Sequence, residues 1–183
     1  MEIEKVKHSI IHDLQHIIDN IDRIRLIKKL SYKFNTKYIG SSQYRDNFIS
    51  KIKENINHNK YKYIYTFRLP DGYPADKVYH NYENAKSSIS ERAFARLNKA
   101  NKNSLYLYVG SSLGLVSRIK QHLGFGPKGT YAMQLYSWCK NLNIEITLNI
   151  YAFDSEISKN AFQAFEDGVW NYLKPLLGRQ GKK

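Results

Sequence analysis

A mixed α+β fold is what this sequence predicts, on three observations. Runs of β-branched and aromatic residues at 61–69, 104–110 and 144–153 read as three strands. Apolar residues at helical spacing lie before, between and after them. A 42% hydrophobic share over 183 residues suits one sizeable core, or one core plus a small appended module.

Taken in order, the chain begins with apolar residues at 3, 6, 10, 14, 17, 21, 24, 27 and 30. Steps of three and four place them on one face of a long helix. Ile11 and Ile18 widen that face, so the helix meets a core or forms a coiled-coil-like seam. Gly40-Ser41-Ser42 breaks the pattern, and Ser42 is placed to cap a second helix reaching residue 55. The polar stretch 55–60 marks a boundary between an N-terminal helical region, 1–60, and a second domain, 61–183. Strand 61–69 stops at Pro70-Asp71-Gly72. Residues 71–103 read as a helical insertion: a loop with Pro74, a helix over 84–100, then polar Asn101-Lys102-Asn103. Beyond strand 104–110 come a helix over 113–123, a glycine-rich loop over 124–129 and a helix over 130–140. The alternating strand 144–153 and an amphipathic helix over 158–173 follow, closed by Pro175 and Gly178.

Charge narrows the partner. There are 29 Lys and Arg against 16 Asp and Glu, a net +13. The excess is spread along the chain, 12 basic and 7 acidic groups in residues 1–60 and 17 and 9 in the rest. With 15 tyrosines, this balance suits a polyanion, because cations neutralise phosphates and aromatic rings stack on bases. Cys139 stands alone, which excludes an internal disulfide and a multi-cysteine zinc site and fits a reducing cytoplasm. No apolar run approaches the roughly 20 residues a membrane span needs. A soluble cytoplasmic protein is expected, with no membrane contact and no organic cofactor.

One constellation carries chemistry. Tyr63-Ile64-Tyr65 is followed by Tyr108-Val109-Gly110-Ser111-Ser112, by Arg118 eight residues past the glycine, and by His122 one turn later. Glu166 then opens Glu166-Asp167-Gly168-Val169-Trp170-Asn171-Tyr172-Leu173-Lys174-Pro175. Over about residues 61–180 this order and spacing resembles the GIY-YIG nuclease superfamily, most closely its restriction-endonuclease members. The resemblance implies a small three-stranded antiparallel sheet flanked by helices. It also implies a metal-dependent DNA endonuclease that hydrolyses phosphodiester bonds with Mg²⁺ or Mn²⁺.

The resemblance assigns roles that the residue types can fill. Glu166 would hold the metal, since a carboxylate can share Mg²⁺ with waters and leave room for phosphate. Arg118 would offer its planar fork to the developing charge. Tyr65 would be the general base, its phenol depressed by neighbouring cations. Tyr108 would position water or phosphate, and His122, on the same helix face as Arg118, would share proton transfer or contact the phosphate. Gly110 would let the backbone turn tightly where the strand enters the site. Lys120, Arg92, Arg96, Arg179 and Gln180 are the side chains expected to touch nucleic acid.

There are departures. Tyr63 stands where the first motif has glycine, and Tyr65 and Tyr108 lie 43 residues apart. The insertion 71–103 accounts for that distance and reads as a DNA-contacting element. Where the family has an asparagine this chain has Gly178, with Arg179 and Gln180 beside it, which leaves open a nucleic-acid-binding module without activity, and a repair or anti-phage nuclease is the other alternative. Tyr38-Ile39-Gly40 is a more literal tripeptide, but Phe48 rather than arginine stands eight residues past its glycine, and the segment before it reads as helix. His8, His12 and His16 recur every four residues and read as a polar helix stripe. The long N-terminal helix must bury its apolar face, which points to a homodimer, and residues 1–60 are assigned to dimerisation or DNA binding.

Overall fold

The three expected strands form, and a fourth joins them. The computed structural model describes residues 2–181. Its helices are α1 (Ile3–Asp22), α2 (Ser42–Lys53), α3 (Ala75–Ser88), α4 (Leu115–Leu123), α5 (Leu135–Trp138) and α6 (Lys159–Leu173). Its strands are β1 (Leu26–Asn35), β2 (Tyr61–Arg68), β3 (Tyr106–Ser111) and β4 (Glu145–Asp154). They make one antiparallel sheet in the order β1-β4-β2-β3. The expected sheet of three strands is thereby corrected to four. No helix among the described residues is long and apolar enough to cross a membrane.

The extra strand lies where a helix was expected to continue. α1 stops at Asp22, and residues 26–35 pair along almost their whole length with β4. Leu30, Tyr32 and Phe34 alternate there, pointing toward the core, while Lys29, Ser31 and Lys33 are exposed. The positions 24, 27 and 30 fit a helical stripe as well, so local period alone was ambiguous. The ladder to β4, which supplies a partner for the backbone, decides it. The N-terminal region is thus helix, strand, helix, and Phe34, Ile39, Phe48, Ile49 and Ile52 join the same core cluster as β2 and β4.

Two further helices differ from expectation. The insertion's helix is Ala75–Ser88, beginning directly after Pro74, and buries Ala75, Val78, Tyr79 and Tyr82 at helical spacing. Residues beyond it run irregularly, bridging Phe94 to Ala132 and Leu97 to Leu177. Instead of a helix over 130–140 there is one turn, Leu135–Trp138, because Gln134 adopts φ 55°. Its side-chain amide donates to the carbonyls of Ala93 and Thr130 at 3.1 and 3.2 Å, which holds that kink. The second helix is capped by Ser41, whose Oγ accepts from the Tyr44 amide, rather than by Ser42.

The sheet divides two cores. Tyr63, Tyr65, Phe67, Ile146, Leu148 and Ile150 face the larger one, under α2, α3, α4 and α5. Ile64, Val109 and Phe153 face the smaller one, where α6 packs with Ile17 and Ile21 of α1. β2 is central, so Tyr63 to Phe67 are buried without interruption. This continuous burial holds Tyr65 beside the edge strand β3.

Candidate active site

Pairing places the two tyrosines. Tyr65 lies opposite Gly110, and Phe67 opposite Tyr108, so both tyrosines project from the same sheet face. Their rings stack at 6.1 Å with 11° between planes. Gly110 makes this possible by its lack of a side chain: a Cβ there would lie 2.9 Å from Tyr108 Cε1 and 3.0 Å from the Tyr65 hydroxyl. Its role is clearance for the two rings and not the tight turn the sequence suggested.

α4 covers these rings. Residues Leu115, Ile119, His122 and Leu123 are its buried face, which carries His122 in against Tyr65 and Tyr108. The imidazole Nε2 is 3.0 Å from the Tyr65 hydroxyl. The Met133 amide donates to Nδ1 at 3.3 Å. Nδ1 is therefore an acceptor, so in the neutral ring the proton sits on Nε2 and is donated to the Tyr65 oxygen. Burial, and then the Arg118 charge, hold this imidazole well below the usual histidine range, so the ring is neutral. Both nitrogens are engaged, and the side chain is fully buried, out of reach of the phosphate contact anticipated for it.

Arg118, one turn earlier, is held by three acceptors. Its Nη1 donates to Gln121 Oε1 at 2.8 Å, and its Nη2 to the Tyr108 hydroxyl at 3.2 Å and the Tyr131 carbonyl at 2.9 Å. About five guanidinium N–H groups are available, so roughly two remain for a substrate. Burial raises the Tyr65 phenol well above its ordinary value, reinforced by Tyr108 and opposed by Arg118. The expected depression is thus reversed in this state: desolvation of the phenolate outweighs the neighbouring cation.

Glu166 arrives from the opposite sheet face, on α6. Ser111, the last residue of β3, holds both its oxygens: the amide donates to Oε1 at 2.9 Å and the hydroxyl to Oε2 at 2.5 Å. Gln163 Nε2 adds a contact to Oε2 at 3.4 Å. Burial raises the Glu166 carboxyl above its ordinary value, and the Ser111 donors pull it back. A carboxylate has about four lone-pair sites, so one is left. A partly desolvated carboxylate with one free position fits a hard divalent cation, which commonly uses one or two carboxylates and otherwise water. Among the described residues no group of three or more His, Cys, Asp or Glu is arranged for an ion, and His8, His12 and His16 stay an exposed stripe on α1.

Tyr65, Tyr108, Arg118 and His122 therefore form one set of contacts beside Gly110, and Glu166 is held by Ser111, the next residue of β3. Arg96 and Arg179 line an adjoining cleft with Tyr108 and Arg118. Arg92 turns elsewhere, donating to Gln134 Oε1 at 3.2 Å and toward the Gly126 carbonyl. Lys120 is exposed on the far side of α4 from Arg118, two residues being about 200° of helical turn. Gln180 is half-buried next to Gly181, whose amide donates to Asp167 Oδ1 at 2.9 Å. Gly40 of the more literal tripeptide abuts Tyr136, and Arg45 lies 4.0 Å over the Phe125 ring.

Sequence reasoning missed the supports. In the sequence Ser111 stands out only as the residue after Gly110, and nothing singles out Gln121. The Met133 amide and the Tyr131 carbonyl are backbone groups and carry no sequence signal. Gly178, with φ 95°, presses on Tyr108: a Cβ would meet Cε2 at 2.8 Å. The chain matches no family model, and no curated protein or solved structure is significantly similar to it.

Proposed function

We propose that this protein is a GIY-YIG-type endonuclease that hydrolyses phosphodiester bonds in DNA, most like the sequence-specific restriction enzymes of that superfamily. The observation that supports it is the set of contacts joining Tyr65, Tyr108, Arg118 and His122 beside Gly110, with Glu166 held by the next residue, Ser111, an arrangement able to do that chemistry. Glu166, steadied by Ser111, is the ligand for Mg²⁺ or Mn²⁺. When bound, the cation supplies charge stabilisation at the phosphate and a more acidic attacking water. Arg118 gives its remaining donors to the phosphate oxygens, and Gln121 and Tyr108 fix the plane of its guanidinium. His122 acts as a positioning residue: its donated hydrogen bond favours the Tyr65 phenolate, and only after the phenol has lost its own proton does that oxygen serve as a base toward water. We propose a cytoplasmic homodimer, in which two sites cut two strands and the exposed apolar stripe of α1 meets its copy.

A second reading, a nucleic-acid-binding protein without activity, is favoured by the complete burial of Tyr65 and its raised phenol. Nicking of supercoiled plasmid tests both. Purified protein should nick only with a divalent cation, and Glu166→Gln should abolish nicking while DNA binding stays intact or tightens, since the basic surface is spared. Nicking by Glu166→Gln at ordinary Mg²⁺ would remove Glu166 from the site. DNA binding by the wild type without nicking would favour the second reading.

A further inference from the structure

We propose that the cleft beside the five-residue cluster receives one unstacked nucleotide of the substrate, its base on Tyr131 and its phosphate on Arg96 and Arg179. The inference rests on the nucleic-acid reading of the neighbouring site and deepens it. The cleft holds about 470 Å³ and shares Tyr108 and Arg118 with that site, so its occupant lies next to the phosphate Arg118 would contact. Its size falls within the roughly 300–1,000 Å³ of small-ligand sites.

The chemistry of the walls selects the ligand. Four cations line the cleft (Lys86, Arg96, Arg118 and Arg179), and no carboxylate does. Such an arrangement attracts an anion and is relieved of self-repulsion by one. Phe94 and Tyr131 add aromatic surface, and Tyr131 is 71% exposed. Cationic groups beside an open ring face are the elements of a base-stacking platform. A base inside a duplex has both faces covered by its neighbours, so only a nucleotide out of the stack can lie on Tyr131.

The platform is also rigid. The Tyr131 carbonyl accepts from Arg118 at 2.9 Å, and the Ala132 carbonyl from the Ala95 amide at 2.9 Å. Arg96 and Arg179 branch from joined backbone: the Gly178 amide donates to the Arg96 carbonyl at 2.8 Å, and Asn98 Nδ2 to the Gly178 carbonyl at 3.0 Å. Lys86 is anchored to the Ala95 carbonyl at 3.2 Å.

The test uses the full chain carrying Glu166→Gln, so that nothing is cut, with three fluorescent DNAs: a paired duplex, the same duplex with one bulged adenine, and a single strand. Anisotropy titrations should give tighter binding to the bulged and single-stranded DNAs. Adding Tyr131→Ala should weaken those two by about 5- to 100-fold and leave the paired duplex unchanged, with Tyr131→Phe restoring the preference. Arg96→Gln with Arg179→Gln should reduce the salt slope by about two. Equal affinity for the three DNAs, or indifference of the bulged DNA to Tyr131→Ala, would overturn the inference and leave the nuclease reading standing. Failure to bind any of the three would instead overturn the nucleic-acid reading on which it rests.

Discussion

Gly178 is the place where the fold and the site can be tested together. Its φ of 95° lies where a side chain is strained, and a Cβ would sit 2.8, 3.2 and 3.3 Å from Cε2, Cδ2 and Cζ of Tyr108. The ring's retreat is limited by His122 at 4.2 Å between centroids and by Tyr65 at 6.1 Å. For Gly178→Ala the left-handed conformation costs about 1–2 kcal/mol. Overpacking against the Tyr108 ring adds about 1–3 kcal/mol. The sum, roughly 2–5 kcal/mol, corresponds to a fall in Tm of roughly 5–15 °C for a chain of this size. Gly72→Ala is the internal control: it shares the positive φ, 74°, but has nothing within 4 Å of its Cβ, so it carries the backbone cost alone. Thermal and urea unfolding by circular dichroism measure both. The same substitution should also displace the Tyr108 hydroxyl from Arg118 and lower nicking at temperatures where the protein is still folded. If Gly178→Ala is no worse than Gly72→Ala, Tyr108 is not wedged in place and the reasoning fails.

Two more predictions follow from the structure. The His122 imidazole is neutral in the folded state and depressed, whereas in the unfolded chain it takes a proton near pH 6.5. Below that pH the unfolded state binds more protons, so stability should fall as pH falls, by up to about 1.4 kcal/mol per pH unit until the folded group titrates; urea unfolding between pH 7 and 5 should give a flatter profile for His122→Asn, and identical slopes would refute this. On α1, Ile3, Val6, Ile10, Ile11, Leu14 and Ile18 are 43–62% exposed, while Ile17 and Ile21 pack on the α6 side. Ile10→Asp with Leu14→Asp should therefore turn a dimer into a folded monomer with unchanged Tm in sedimentation, and a wild type that is monomeric at micromolar concentration with and without DNA would end the dimer proposal.

How much was legible depended on whether local pattern and tertiary partner agreed. In β4, Ile146, Leu148 and Ile150 alternate and face one core, so period and burial coincide. α6 begins at a capping serine, Ser158, whose Oγ accepts from the Ala161 amide, and its extent was equally readable. β1 was hidden because its apolar residues continue the three-and-four spacing of α1, and only the ladder to β4 breaks the tie. The helix expected over 130–140 failed for a related reason: Gln134 donates its side-chain amide to the carbonyl of Ala93, 41 residues away, as well as to that of nearby Thr130, and no local propensity contains the distant bond. At the site, the spacing from Gly110 to Arg118 and His122 was legible because one strand and one helix deliver it. The direction of the Tyr65 shift was not, because it is set by total burial under α4.

The insertion deserves a different physical description from the one its sequence suggests. Its first half, α3, packs as an ordinary core helix, burying Val78 and Tyr82. Its second half closes on the end of the chain: the Asn98 amide donates to the Leu176 carbonyl, and Asn98 Nδ2 to the carbonyls of Pro175 and Gly178, each near 3.0 Å. Asn101 Nδ2 adds another bond to Pro175 at 3.0 Å. Leu176 and Leu177 in turn donate to Tyr106 and Leu107 of β3. The tail is thus clamped between the insertion and the edge strand, and the clamp delivers Gly178 against Tyr108 and sets Arg179 beside Arg96. Any side chain at position 178 would have to displace the Tyr108 ring, so glycine there follows from how the tail is seated. A segment built this way is also part of the frame that seats Tyr108. Residues 96–101 hold one wall of the site in register, and a change there reaches Tyr108, and through it Arg118, by direct contact and not by any long-range route.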